Sequence, residues 1–370
     1  MNSTDEYLEN EKLAKKYCPL LVLFQEIEDN SNRDKHHNPD YGPGCPPLNQ
    51  DYHPRDIRLV LDNARLPETR GDITQKQMLD AMSENKIDHI DLIDRGGPKE
   101  VNKFWQTYSS IQNKDGNPDY QRKAYVRVVR GSGRFKNFIS IQYWLAYFFD
   151  DWANVHEMDW EMVTVVIKRT ESGEEPVTCA FNAHIGSFRM PWKEVDKVND
   201  DREKDNDGLH PVAYVANGSH ASYFSDFPPD FNVASVFVGP TLRNVLRITG
   251  IAKSFTDYVP SYEDGVKCFP EVEVIPEPDK EVGWSGEWRW LNFKGHWGSP
   301  VQLSFSERLI ALVPGLRKIH LFFKRPIREA APTGPSTKGV CWDDPFYWIN
   351  LECCDVKRMK PWLEKLDIGD

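Results

Sequence analysis

The sequence lacks any uninterrupted apolar run longer than about six residues, the longest being PLLVLF (19–24) and WLAYFF (144–149). A membrane-spanning helix needs roughly 20 consecutive apolar residues, so no transmembrane segment is expected. Positive charge is also short: 46 Lys and Arg stand against 57 Asp and Glu, a net charge of −11. Nucleic-acid binders carry a Lys/Arg stripe to meet phosphates; none is present here, and that partner is excluded. The seven cysteines form no C-x-x-C pair, and an odd set without metal-ligand spacing reads as reduced thiols. Residues 1–17, MNSTDEYLENEKLAKKY, have neither the basic start nor the apolar stretch of a secretory leader. These absences together lead to the expectation of a soluble cytoplasmic protein.

Familiar catalytic templates are missing too. RGSGRF (130–135) supplies only part of G-x-G-x-x-G because position 136 is Lys. NGSHA (217–221) lacks the flanking glycines of a G-x-S-x-G elbow, and His156 opens H-E-M-D-W rather than H-E-x-x-H. The run EVDKVNDDREKDNDG (194–208) ends like a calcium loop. It puts Tyr214 where an EF-hand needs Glu, and reads as a solvated excursion between strands.

What the chain does have is a globular composition, 39% apolar and 12% aromatic over 370 residues, enough for a sizeable core. Residues 4–17 read as a helix and PLLVLFQEIE (19–28) as a strand. Residues 30–55 read as a surface loop. A second helix is expected over 73–87, with Asp72 as cap and Gln75 in the capping-box position. From about 122 the texture changes to β-branched and aromatic runs separated by turns: KAYVRVVR, FISIQYWLAYFF, WEMVTVVIK, PVTCAFNAH and HPVAYVANGSHASYF. No regular helices intervene, which predicts antiparallel packing. The expected fold is mainly β, an antiparallel jelly-roll-like sandwich with peripheral helices. A single domain is expected: 1–121 a helical and loop part packed on the sandwich, 122–325 the β core, 326–370 an extension. The Pro-rich stretches 259–280 and 326–336 read as loops, and PTLRNVLRITG (240–250) as a short helix. The Trp-rich EVGWSGEWRWLNFKGHWGSP (281–300) either lines a pocket for a flat or sugar-like ligand or is ordinary ring packing.

Charge concentrates where the pattern demands sheet interior, in DDWANVHEMDWE (150–161). Strand alternation puts Asp159 and Glu161 on one face with Val163 and Val165, and Trp160 and Met162 on the other. Two carboxylates about 6–7 Å apart along a strand repel if both ionise away from water. One pKa then rises, or a cation sits between them. His156 can bend onto that face, and Asp151 can approach from the preceding strand. Such donors suit Mg²⁺, Ca²⁺ or Mn²⁺, with histidine pulling toward a transition metal and Zn²⁺ ranking behind. The alternative is a solvated face paired with arginines. His184 and His220 follow two further strand-like runs, where imidazoles could bind metal or move protons.

WLAYFFDDWANVHEMDWEMVTVVI, FNAHIGSFRMPWKEV and HPVAYVANGSHASYF resemble successive motifs of the vacuolar protein sorting-associated protein sixty-two family. The resemblance runs over about 16–350, taking in YCPLLVLFQEIE, DYHPRDIRLVLDNARL, FKGHWGSP and PTGPSTKGVCWDDPFYWIN. Met158 stands where that family's H-E-G-D-W-E run has glycine, and Asn182-Ala183 stand for Ser-Gln. The H-x-x-D-W-E spacing of His156, Asp159, Trp160 and Glu161 also resembles the hallmark of necrosis-inducing plant toxins. That resemblance implies a β-sandwich whose His156, Asp159 and Glu161 hold a divalent cation, with Asp151 completing the set. The expected function is a metal-assisted hydrolase, lyase or cyclase acting on a small or lipid-like substrate, with His184 or His220 moving protons. The alternative is a non-catalytic, metal-dependent lipid or glycan binder or a trafficking component.

Overall fold

The computed structural model describes residues 3–26, 52–67, 73–92, 107–108, 110–111, 120–150, 154–183, 186–199, 209–226, 259–299, 327–328 and 330–349. Five strands run through one sheet: β2 (Lys123–Arg130), β3 (Phe138–Asp150), β4 (Asn154–Thr170), β5 (Gly173–Ala183) and β6 (Gly186–Pro191) lie side by side in chain order, all antiparallel. Beside β2 this sheet adds β11 (Glu271–Val274), and beside the start of β4 it adds β12 (Ile327–Arg328). The second sheet has the order β10 (Val266–Cys268), β1 (Leu20–Leu23), β8 (Leu209–Val215), β7 (Lys197–Asn199), with β9 (Ser222–Tyr223) also on β8.

Period-two alternation decides what lies between the sheets. From β3, Ile139, Ile141, Tyr143, Leu145 and Tyr147 meet Leu21, Leu23, Ala213 and Val215 of the second sheet in one core. The intervening Trp144, Ala146 and Phe148 point the other way, into a second core with Met158, Trp160 and Met162 of β4. That outer face is covered by α2 (Arg58–Leu61), α3 (Gln75–Ser83), a tight helical turn at Gly286–Asn292, and α4 (Val340–Asp343). A mainly β sandwich with helices on its outer face is therefore the observed architecture. The β3–β4 ribbon is buried on both sides, which is why its sequence is apolar almost without interruption. The Trp-rich segment belongs to this packing. Trp160 stacks on Trp290 at 5.6 Å and meets Trp297 edge-on at 5.6 Å.

Several details differ from the sequence reading. Three strand pairs are parallel, β1/β8, β11/β2 and β12/β4; each joins segments far apart in the chain, beyond the reach of hairpin logic. The Pro-rich stretch 259–280 contains β10 and β11. Helix α3 is capped by Thr74 in a reciprocal box with Gln77, two residues later than expected, and ends at Ser83 before a left-handed Asn85. Asp72, residues 30–51 and 240–250 lie outside the described residues. Residues 52–56, by contrast, are buried rather than on the surface, and the Arg55 amide donates to Ala146 of β3. Helix α1 (Ser3–Lys16), acidic at its first turn and basic at its last as its dipole favours, docks on the large sheet by pairing Glu6 and Glu9 with Arg130 and Glu9 with Arg169. Among the described residues no helix is long and apolar enough to cross a membrane, and the four described cysteines are buried and form no disulfide with one another.

Candidate functional site

The site grows from an irregularity near the start of β4. Pairing with β3 runs without a break from Phe138↔Lys168 to Tyr147↔Asp159 and resumes at Phe149↔Glu157 and Asp150↔His156. The residue skipped, Met158, is fully buried and has φ +55°. A non-glycine residue in this left-handed region costs ~1–2 kcal/mol. The kink also breaks alternation: Glu157 turns to accept the amides of Leu92 and Ser299, at 3.2 and 3.0 Å. Asp159, two residues on, faces the opposite way toward His220.

Asp159 and Glu161 sit together on the inner face, 7% and 6% exposed. Asp159 Oδ1 accepts from the Trp160 amide at 2.8 Å, and Oδ2 lies 3.2 Å from His220 Nδ1. Glu161 Oε2 accepts from Asn182 Nδ2 at 2.9 Å. Burial opposes ionisation of Asp159, but the His220 hydrogen bond and the imidazoles of His156 and His220 outweigh it and draw the carboxyl below its usual range. Glu161 goes the other way: burial, and then the Asp159 charge beside it, push it well above the usual carboxylate range. The Lys338 charge, the Asn182 amide and the His220 imidazole only partly offset this. Of the two neighbours, Asp159 is therefore the one that favours the charged form and Glu161 the one that favours the neutral form.

His220 is placed by the turn between β8 and β9, where its amide closes onto Ala216 O at 3.1 Å and its φ is +55°. Its ring is wholly buried and stacked on Tyr147, with centroids 4.0 Å apart and planes 9° apart. His156 Nδ1 lies 2.7 Å from Met158 O; a carbonyl only accepts, so Nδ1 carries the proton. Its Nε2 then faces Asp150 Oδ2 at 3.4 Å.

The structure thus brings His156, Asp159, Glu161 and His220 to one end of β4. Asp151 and His184 lie outside the described residues. Among the described residues, no group of three or more His, Cys, Asp or Glu side chains is placed to hold a metal ion. Sequence reasoning missed Asp150, Asn182 and Tyr147. The strand pattern could have found Asp150 and Tyr147, since they pair with His156 and Asp159 across a β3–β4 hairpin. No local pattern marks Asn182.

No family model and no curated protein matches the chain. Among solved structures, the non-toxic HaNLP3 protein is similar at 14% identity over 55% of this chain and 73% of that one, with a TM-score of 0.23. NLPPya is similar in its complex with glucosamine (14% identity, 52% and 68% covered, TM-score 0.24) and with mannosamine (15%, 52% and 67%, 0.24). These neighbours are necrosis-inducing proteins, and none of the matches carries the vacuolar-sorting resemblance.

Proposed function

We propose that the end of β4 is a divalent-cation site and that the protein is a cation-dependent enzyme acting on a small or lipid-like substrate. The observation that carries this reading is the pair of buried carboxylates, Asp159 and Glu161, on one strand face. Among the described residues neither forms an ion pair with Lys or Arg. Two such groups need a proton or a cation. Mg²⁺ and Mn²⁺ are commonly held by one or two carboxylates while keeping several waters, so two carboxylates suffice for them. A Ca²⁺ cage or a structural Zn²⁺ site would need more donors than the described residues bring together. Asp159 and Glu161 would hold the ion. His156, donating Nδ1–H to a carbonyl and presenting Nε2 beside Asp150, has the outer bond that metal-bound histidines use.

The chemistry supplied at this site when Mg²⁺ or Mn²⁺ is held by Asp159 and Glu161 would be polarisation of a substrate oxygen and a lowered pKa for bound water. The chain's own residues do the rest. Asn182 fixes one Glu161 oxygen. His220, locked between Tyr147 and Asp159, orients the Asp159 carboxylate. The rings of Tyr147, stacked on His220, and Tyr52, edge-on to it, suit an apolar substrate. One observation favours a second reading, a non-catalytic cation-dependent binder: His220 has no exposure through which to reach a substrate.

The test is Mn²⁺ titration, followed by electron paramagnetic resonance, of protein first stripped with chelator. One site is expected, lost in Asp159→Asn and in Glu161→Gln. Absence of binding by Mn²⁺, Mg²⁺ and Ca²⁺ overturns the proposal. A search for turnover with the loaded protein on ester and isoprenoid substrates separates enzyme from binder.

A further inference from the structure

Glu157 lies inside the histidine–carboxylate run yet faces away from it. Its side chain is buried, and a single oxygen, Oε2, accepts both the Leu92 and the Ser299 amides. Those amides come from segments that are themselves laced together. Ile90 N donates to His296 O, Trp297 N to Pro332 O, and Ala331 N to Ser299 O, at 3.1, 2.9 and 3.0 Å. Gly298 makes the approach possible: a Cβ there would stand 2.4 Å from Glu157 Cβ and 2.9 Å from Oε2. Two chain-distant segments therefore converge on one carboxylate, with a third laced to them, next to the left-handed Met158 whose carbonyl accepts a hydrogen bond from His156.

We propose that Glu157 is the positioning residue of the cation site, fastening residues 92 and 299 to the kink at Met158 and so setting where His156 and Asp159 face. Glu157 is not a ligand; it acts through the backbone on either side of itself. In this it rests on the cation reading given above. Outer groups that orient ligands change metal affinity by about 10–100-fold when removed. Because one oxygen takes both amides, glutamine can keep the clasp and leucine cannot.

The experiment compares Glu157→Leu with Glu157→Gln in the full chain, by Mn²⁺ affinity and by the imidazole NMR resonances of His156 and His220 in cation-free protein. Leucine is expected to weaken Mn²⁺ binding by about tenfold or more and to displace both resonances, while glutamine leaves both readouts close to wild type. Equal damage from glutamine overturns the inference, because the charge itself then acts at the site. A leucine variant that only melts earlier, with affinity and resonances unmoved, also overturns it. If the wild type binds no Mn²⁺, the cation reading fails and the resonances alone decide: moved by leucine and spared by glutamine supports positioning, anything else refutes it. Should Glu157→Leu not fold, Gly298→Ala, which crowds the same carboxylate, must displace the same resonances.

Discussion

Two carboxylates of this molecule, Glu26 and Glu161, leave water in opposite company. Glu26, three residues beyond β1, meets Arg55 Nη2 at 2.6 and 2.5 Å, Arg122 Nη2 at 3.3 Å, the Tyr108 hydroxyl, and His53 Nδ1 at 3.5 Å. Burial opposes its ionisation, yet His53, Arg55 and Tyr108 together bring it down to about 2. Glu161 is buried beside another carboxylate with one amide for a partner, and is pushed well above its usual range. The first arrangement is complete in itself and ties the N-terminal segment to β2 and to residues 52–56. The second is electrostatically incomplete. A buried carboxylate short of partners is a candidate for binding, whereas a fully paired one holds the fold.

The comparison breaks most visibly through Arg55. Removing one partner of a buried ion pair costs ~3–5 kcal/mol, so Arg55→Met should lower unfolding stability by that amount while leaving Mn²⁺ affinity unchanged. Urea denaturation measures the first, and a loss below ~1 kcal/mol would mean that the Glu26 network is not the anchor described here.

Next in size comes pH. Glu26 has a folded pKa of about 2 against 4.5 unfolded, so its contribution is present above 4.5 and disappears as pH falls toward 2. His53, brought by burial to about 4 from 6.5, binds protons less readily when folded. Its contribution is likewise lost as pH falls, between 6.5 and 4. Each spans ~3 kcal/mol, and the two do not add because the groups face each other. Glu161 has the reverse sign: its raised pKa stabilises below 4.5 and is lost as pH rises through the folded value. Calorimetric melting of cation-free protein should therefore fall steeply on acidification from 6.5. Arg55→Met should flatten the acid limb, and Glu161→Gln should flatten only the alkaline one.

Met158→Gly sharpens the contrast at smaller amplitude. Glycine relieves the left-handed conformation by ~1–2 kcal/mol, but losing a fully buried methionine costs ~2–5 kcal/mol. A net destabilisation of ~1–3 kcal/mol is expected by urea titration, and a gain would show that strain, not packing, dominates the kink. The smallest stability effect belongs to Glu161→Gln, within ~1 kcal/mol of wild type and on the stabilising side, since Gln still accepts from Asn182 and carries no charge. Thermal shift should detect its consequence elsewhere. Mn²⁺ at 100 times its Kd raises wild-type stability by ~2.7 kcal/mol and the variant's not at all.

Alternation along DWEMVTVVIK was enough to place Asp159 and Glu161, with Val163 and Val165, opposite Trp160 and Met162, and the two cores observe that division for the apolar residues. The same rule fails one residue earlier. Period two puts Glu157 beside Asp159, whereas the left-handed Met158 sends it to the other side. Such a backbone state is invisible in a methionine; only the glycine at that place in the resembled H-E-G-D-W-E run hints at it. The cap of α3 was misplaced for a milder reason, since Thr74-x-x-Gln77 and Asp72-x-x-Gln75 offer overlapping boxes and the helix uses the later one.

By itself, then, the sequence determined the β texture, the two faces of β4 and the clustering of acid and imidazole in one run, because these follow from short-range periodicity and residue chemistry. Tertiary structure alone decided which distant partners arrive. Arg55 reaches Glu26, Asn182 reaches Glu161, His220 reaches Asp159 from a turn 61 residues away, and the amides of Leu92 and Ser299 reach Glu157. Each meeting depends on how sheets and loops close in three dimensions, and spacing along the chain does not encode that. The charge state of a buried carboxylate depends on those arrivals, so Glu26 and Glu161, chemically identical in the sequence, end at opposite extremes.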